Sequence, residues 1–272
     1  MKLWMMFALV SVAVSGLTAA EWFEPATGRT WQYLELPDGT VSVGSEKIEK
    51  IALSPEPWGT LRIPSVIAGK KVTGVTDLAF RKCLRLKEIV VPPTVVNIYP
   101  YAFAACKNVK TLTLPVGLDG IGKEAFMGMA PTKLTAARLP DSRLNPEYIE
   151  ELVVPEGVTE LKRCAFMGCL RLKKLSLPST LKTIGPNAFW GCKALEELNL
   201  PANLETIGEG AFQGCESLTS LTLPAKVKKL GFGAFWGCSG LERVQCLGRR
   251  PEIEGSAFDH DEILDERTSG DK

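Results

Sequence analysis

The chain has 272 residues, 45% of them hydrophobic and 23% charged, which is enough to bury a sizeable core. Its 32 basic and 31 acidic residues leave a formal net charge of +1. That balance excludes a global electrostatic pull toward nucleic acid or anionic lipid.

Met1 and Lys2 precede an uncharged run from Leu3 to Ala20 that closes on Thr18-Ala19-Ala20. A short positive region, a hydrophobic region and a small-residue site predict a secretory signal peptide over residues 1–20, cut after Ala20. Left uncut, a run of this length sits at the threshold for a membrane anchor. Glu21 directly after the small-residue site favours cleavage, and no cysteine lies close enough for lipid attachment. The expected destination is secreted, periplasmic or cell-surface, without stable membrane insertion after cleavage.

Residues 21–60 are predicted to form an N-terminal β cap. Thr30-Trp31-Gln32-Tyr33-Leu34-Glu35-Leu36 alternates, Pro37-Asp38-Gly39 signals a turn, and Thr40-Val41-Ser42-Val43 alternates again. This is a β-hairpin pattern.

From residue 61 to 258 one pattern recurs. The dipeptide Ala-Phe ends at Phe80, Phe103, Phe126, Phe166, Phe189, Phe212, Phe235 and Phe258, with steps of 23 residues except one of 40. A fixed period in the twenties marks a stacked solenoid, in which each coil buries its apolar face on the next. Around Phe189 the apolar positions are Leu181, Ile184, Leu195, Leu198 and Leu200, with Cys192 three residues after the ring and Pro201 closing the run. Leu-x-Leu before a proline predicts a short half-buried strand. Ala-Phe followed by Gly-Cys predicts a compact helical or 3₁₀ turn.

Three segments depart from the period. Pro64 to Phe80 is longer than the matching Pro178 to Phe189, and Gly69-Lys70-Lys71 in it predicts a protruding turn. The 40-residue step holds an insertion at about residues 130–146, either an irregular partial coil or a projecting contact loop. Residues 259–272 are expected to form a C-terminal cap and polar tail.

The pattern resembles the BspA-like leucine-rich repeats of bacterial surface antigens. The resemblance rests on L-x-x-L-x-L-P, L-x-x-I-G and A-F-x-G-C, as in Leu195 to Pro201, Leu204 to Gly208 and Ala211 to Cys215. It implies a leucine-rich repeat solenoid, strand-rich with short helical turns, of about eight 23-residue coils. It also implies a secreted or surface-exposed binding or adhesion role.

Residues that carry chemistry are few. Cys83, Cys106, Cys169, Cys192, Cys215 and Cys238 share one repeat position, which Met129 fills in the third copy. A cysteine column in an exported chain raises the prospect of disulfides. Side chains at one solenoid position point in parallel, however, and methionine in the slot fits a buried apolar site, so thiols are expected. No C-x₂-C pair exists, and His260, in Asp259-His260-Asp261-Glu262, is the only histidine. No zinc site, other metal site, cofactor or catalytic residue is predicted. Glu196-Glu197 at solvent-facing strand positions is expected to pair with Lys173-Lys174 of the preceding coil.

The binding candidate is the residue after each phenylalanine: Arg81, Ala104, Met127, Met167, Trp190, Gln213, Trp236 and Asp259. Facing outward, Met167, Trp190 and Trp236 form an apolar stripe suited to a protein or sugar partner; lying flat, they merely cover neighbouring turns. A second surface is the middle strand position, from Val90 and Thr113 to Thr222 and Gln245. The expected function is an exported, non-enzymatic scaffold that binds a protein or glycan. The alternative is a structural or self-associating cell-envelope component.

Overall fold

The computed structural model describes residues 17–45, 51–139 and 144–259, and the backbone of 264–265. Each regular coil has three sides: a main strand, a two-residue second strand, and a turn carrying the Ala-Phe pair. Main strands run parallel in the order Gly59–Arg62, Leu86–Val90, Thr111–Thr113, Lys133–Thr135, Glu151–Val153, Lys174–Ser176. The register is in phase, with Leu112 opposite Ile89 and Leu134, and Leu152 opposite Leu134 and Leu175. The alternation that predicts these strands also sends those residues into the core and Thr113 or Val153 outward. Among the described residues, no helix is long and apolar enough to cross a membrane.

The motif Leu195–Pro201 departs from expectation. Leu198 is buried as predicted, yet the segment carries no ladder hydrogen bonds and separates the main sheet from a second parallel set, Ser220–Leu223 with Arg243–Cys246 and Leu264–Asp265. Residues 264–265 thus extend the sheet instead of belonging to a tail.

The second strands, Thr183–Ile184, Thr206–Ile207 and Lys229–Leu230 among them, stack in parallel. The glycine after the isoleucine is required by close approach. A Cβ on Gly208 would lie 2.8 Å from the Pro186 nitrogen of the preceding coil, closer than real side chains come.

The turn side corrects the expected helical turns. Among the described residues the only helix is the single 3₁₀ turn Pro146–Tyr148. The Ala-Phe turns are successive i→i+3 bonds, such as Trp190 N–H to Asn187 O and Cys192 N–H to Phe189 O. Left-handed residues flank the rings from Phe80 to Phe235: Asn187 has φ 56° and Gly191 φ 74°, and the pattern repeats at Cys164 with Gly168 and at Gly210 with Gly214. Alternating handedness stops a helix from propagating and aims the amides along the solenoid axis. Phe189 N–H donates to Ala211 O, and Gly191 N–H to Gln213 O, both in the next coil. Local turns and the inter-coil ladder together satisfy backbone that a helix would otherwise satisfy within itself.

Within this frame the phenylalanines stack. Centroids are 5.2 Å apart for Phe189 and Phe212, and 5.3 Å for Phe212 and Phe235, with interplanar angles of 10° and 7°. The column is broken between Phe126 and Phe166, where the insertion lies. Lys133–Thr135 takes a place in the main sheet, Leu134, Ala136, Leu144 and Ile149 are buried, and Leu139 N–H donates to Ala165 O where a phenylalanine would. The described part of the insertion is therefore a shortened coil without its own stacked ring, and residues 140–143 lie outside the described residues.

At the start, Arg29–Glu35 pairs antiparallel with Val41–Val43, the expected hairpin, and Val41–Val43 runs parallel to Lys70–Val75 of the first coil. Trp31 closes the ring column edge-on against Phe80, at 6.4 Å and 77°. The protruding turn is a hairpin between Val66–Ile67 and Lys70–Val75. A further strand, Thr18–Glu24, pairs with Arg29–Glu35. It includes Thr18, Ala19 and Ala20 of the expected leader, so a chain cut after Ala20 would keep Glu21–Glu24 of that strand. The rest of the leader, residues 1–16, lies outside the described residues.

Candidate binding surfaces

The turn fixes how the residue after each phenylalanine projects. The ring points inward, the next residue starts the return, and the left-handed residue after it turns the chain back to bury the cysteine. Room at this row differs from coil to coil. Ala104 is fully buried, whereas Met167 and Trp190 are 43% and 44% exposed. Trp236 is half-buried because Phe232 props it, with ring centroids 4.5 Å apart at 63°. Gln213, between the two tryptophans, is half-buried. The row thus reaches the surface, exposed at Met167 and Trp190 and half-buried at Gln213 and Trp236, and is uncharged over four successive regular coils.

Phe232 belongs to this surface, 45% exposed, and the row pattern does not reveal it. Its own position reads Arg163, Pro186 and Glu209 in the preceding coils, with no apolar trend. A weaker signal exists in two glycines. A Cβ on Gly233 would lie 3.2 Å from Trp236 Cδ2, and one on Gly255 would lie 2.9 Å from Phe232 Cδ2. Both glycines make room for the rings.

The row ends in a cap. Asp259 occupies the same position in the last coil, and its carboxylate accepts from Gly237 N–H at 2.9 Å. In earlier coils that amide position finds a backbone carbonyl, as Gly214 N–H finds Trp236 O at 2.7 Å. A side chain here takes the place of a backbone carbonyl in the turn ladder. His260 lies outside the described residues.

The profile of the BspA type leucine rich repeat region matches residues 59–145 and 141–264, in six copies. The chain belongs to the BspA-type leucine-rich repeat family. Solved structures of similar fold include a leucine-rich repeat protein of T. pallidum, at 26% identity over 78% of this chain and 87% of that one, with a TM-score of 0.47. Another, from Bacteroides ovatus, is 24% identical over 88% of this chain and 66% of that one, TM-score 0.45. A leucine rich cell surface protein from Faecalibacterium prausnitzii is 18% identical over 84% and 89%, TM-score 0.37. No curated protein matches significantly.

In this BspA-type chain the cysteine column is a ladder of buried thiols, and all eight cysteines are free. The thiols of Cys106 and Cys238 donate to the carbonyls of Phe80 and Phe212, at 3.1 and 3.3 Å, in the coil before. A small apolar side chain that also donates a weak hydrogen bond suits this slot. Hydrogen bonding to the thiol of the neighbouring coil, then burial, pushes Cys83, Cys192 and Cys215 well above the ordinary thiol range. Cys164 and Cys246 are half-buried outside the column. Among the described residues no three His, Cys, Asp or Glu side chains cluster as metal ligands.

The main-strand face is flatter. Ser176, Asn199, Thr222 and Gln245 are exposed and small or polar, and Val90, Thr113 and Val153 half-buried. Lys133 and Glu151 pair on this face at 2.7 Å. The expected pairing of Glu196-Glu197 with Lys173-Lys174 is not made among the described residues. Inter-coil pairs form elsewhere, between Lys193 and Glu216 at 2.8 Å and between Lys228 and Glu205 at 2.6 Å.

Proposed function

We propose that this chain is an exported, non-enzymatic scaffold that binds a protein or glycan through the Met167–Trp190–Trp236 edge. One observation carries the reading. On a solenoid whose coils repeat the same core, large apolar side chains are kept out of the core at one position of three coils, and two of them are tryptophans. Exposed aromatics of this size mark recognition surfaces more than they serve stability. The leader pattern of residues 1–20 supports export, and membership of a repeat-scaffold family supports binding over catalysis.

The competing reading, a self-associating envelope component, would use the same edge on a second copy of the chain. Two measurements decide. A surface-protein and glycan array should return a partner for the wild-type chain and lose it for the W190A/W236A variant. Light scattering across concentration should give a constant mass. Growth of mass with concentration, abolished by the same double variant, would transfer the edge to self-association.

A further inference from the structure

The edge has a spacing, and the spacing selects a ligand. Successive coils advance by 5.2 and 5.3 Å at the rings of Phe189, Phe212 and Phe235. Trp190 and Trp236 follow the first and last of these rings, so they stand about 10 Å apart along the axis. Between them is an amide, Gln213, at the same position. Beside the row the backbone is glycine in each coil, Gly168, Gly191, Gly214 and Gly237. A Cβ added to Gly168 or Gly191 would meet nothing within 4 Å, so a ligand can lie close to the main chain there.

An extended chain of equatorially 1,4-linked pyranoses advances, by one ring and one bridging oxygen, close to one coil step. In its twofold form successive rings are turned over, so every second ring presents the same face. Aromatic, amide, aromatic at one-coil steps matches that alternation: two C–H faces to stack on Trp190 and Trp236, and one flipped ring whose hydroxyls meet Gln213. A peptide strand rises about 3.3 Å per residue and drifts out of phase with the coils. Charge complementarity points the same way. Met167, Trp190, Gln213 and Trp236 carry no charge, and on the neighbouring row Lys193 and Glu216 neutralise one another at 2.8 Å. An uncharged ligand fits this track, and a polyanion has no cationic row to follow.

We propose that the edge takes an extended, uncharged β-1,4-linked glycan of at least three sugars, an assignment that rests on the edge being the recognition surface. Calorimetric titration of the full chain with cello- and chito-oligosaccharides of two to six sugars tests it, with α-1,4 malto-oligosaccharides of equal length as the contrast. One or both β-1,4 series should bind, with a step in affinity between two sugars and three, and the α-1,4 series should not. W190A or W236A should each weaken the trisaccharide about tenfold and remove the step. W190F, which keeps a stacking ring, should retain most of the affinity and guards against misreading a folding defect. Equal binding of the α-1,4 series, absence of the length step, or full affinity in W190A/W236A overturns the proposal. If no β-1,4 series binds but an array partner is lost in W190A/W236A, the glycan assignment falls and the edge stands. If no partner depends on the tryptophans, both fall.

Discussion

At the scale of single residues, the fold depends on a few side chains that each do one thing in every coil. The phenylalanine fills the shared core between coils. Phe189 is stacked on both sides, at 5.6 Å from Phe166 and 5.2 Å from Phe212. Phe189→Ala should cost about 3–5 kcal/mol in denaturant melts, because flanking rings held by their own ladders cannot collapse into the hole. A cost below about 1 kcal/mol would mean that the ring is not held as described. The cysteine slot was legible as a buried apolar position from Met129 alone. The thiol's bond to the preceding Phe carbonyl was not, since sequence shows the slot and not the carbonyl beside it. The thiolate is the reactive form; hydrogen bonding between neighbouring thiols, then burial, raises Cys83, Cys192 and Cys215 above the ordinary range, while the bond shared with Cys83 lowers Cys106. Because the column is buried and Cys164 and Cys246 are half-buried, alkylation of the native chain should reach Cys164 and Cys246 before the column, while the denatured chain should yield all eight thiols. The upward shift of Cys83, Cys192 and Cys215 has a sign for stability. A folded-state value raised above the unfolded one gives stability that is full below about pH 8.5 and falls as the pH rises beyond it, because the unfolded chain ionises its thiols first. A melting temperature that rises from pH 8 to pH 10 would contradict the buried ladder.

At the scale of elements, period was a better guide than local pattern. The L-x-L alternation placed Leu198 in the core correctly, because alternation is a statement about which way side chains point. Hydrogen bonding to a neighbour is a separate matter, and Leu195–Pro201, which fits the motif well, lies outside the ladder. The turns were expected to be helical or 3₁₀, and their i→i+3 bonds recur without forming a continuous helix. Non-glycine residues with left-handed φ at Leu78, Tyr101, Glu124, Cys164 and Asn187 prevent that, and their varied identities left no trace in composition. The shortened coil is the clearest element-scale test. The segment from Ala130 to Pro146 supplies the strand Lys133–Thr135, paired on both sides. Deleting residues 130–146 should lower the melting temperature and promote aggregation, since the strand Lys133–Thr135 and the buried Leu134, Ala136 and Leu144 are lost from between two coils. An unchanged melting temperature would mean that the neighbouring coils close without it and that the segment is a dispensable insertion.

At the scale of the whole molecule, the array is one continuous core that begins on the Trp31 hairpin. Charge is distributed by coil: residues 161–195 hold seven Lys and Arg and no acid, and residues 196–217 hold five Glu and no base. The resulting inter-coil pairs are exposed, and each contributes about 0–1 kcal/mol, so they adjust stability and do not found it. The uncharged edge crosses these layers, which is what separates it from the rest of the surface. Trp190 and Trp236 were legible as an outward position because tryptophan, glutamine, arginine and alanine cannot all fill one core slot. Phe232 was not, since its support comes from Gly233 and from Gly255 one coil away. The most direct test is to measure binding and stability together in the W190A/W236A variant, against whatever partner the wild-type chain retains on an array. Loss of binding with a stability change below about 2 kcal/mol is the expected result. Retained binding, or a variant that fails to fold, would make the tryptophans packing elements and move recognition to the strand face of Thr113, Ser176, Thr222 and Gln245.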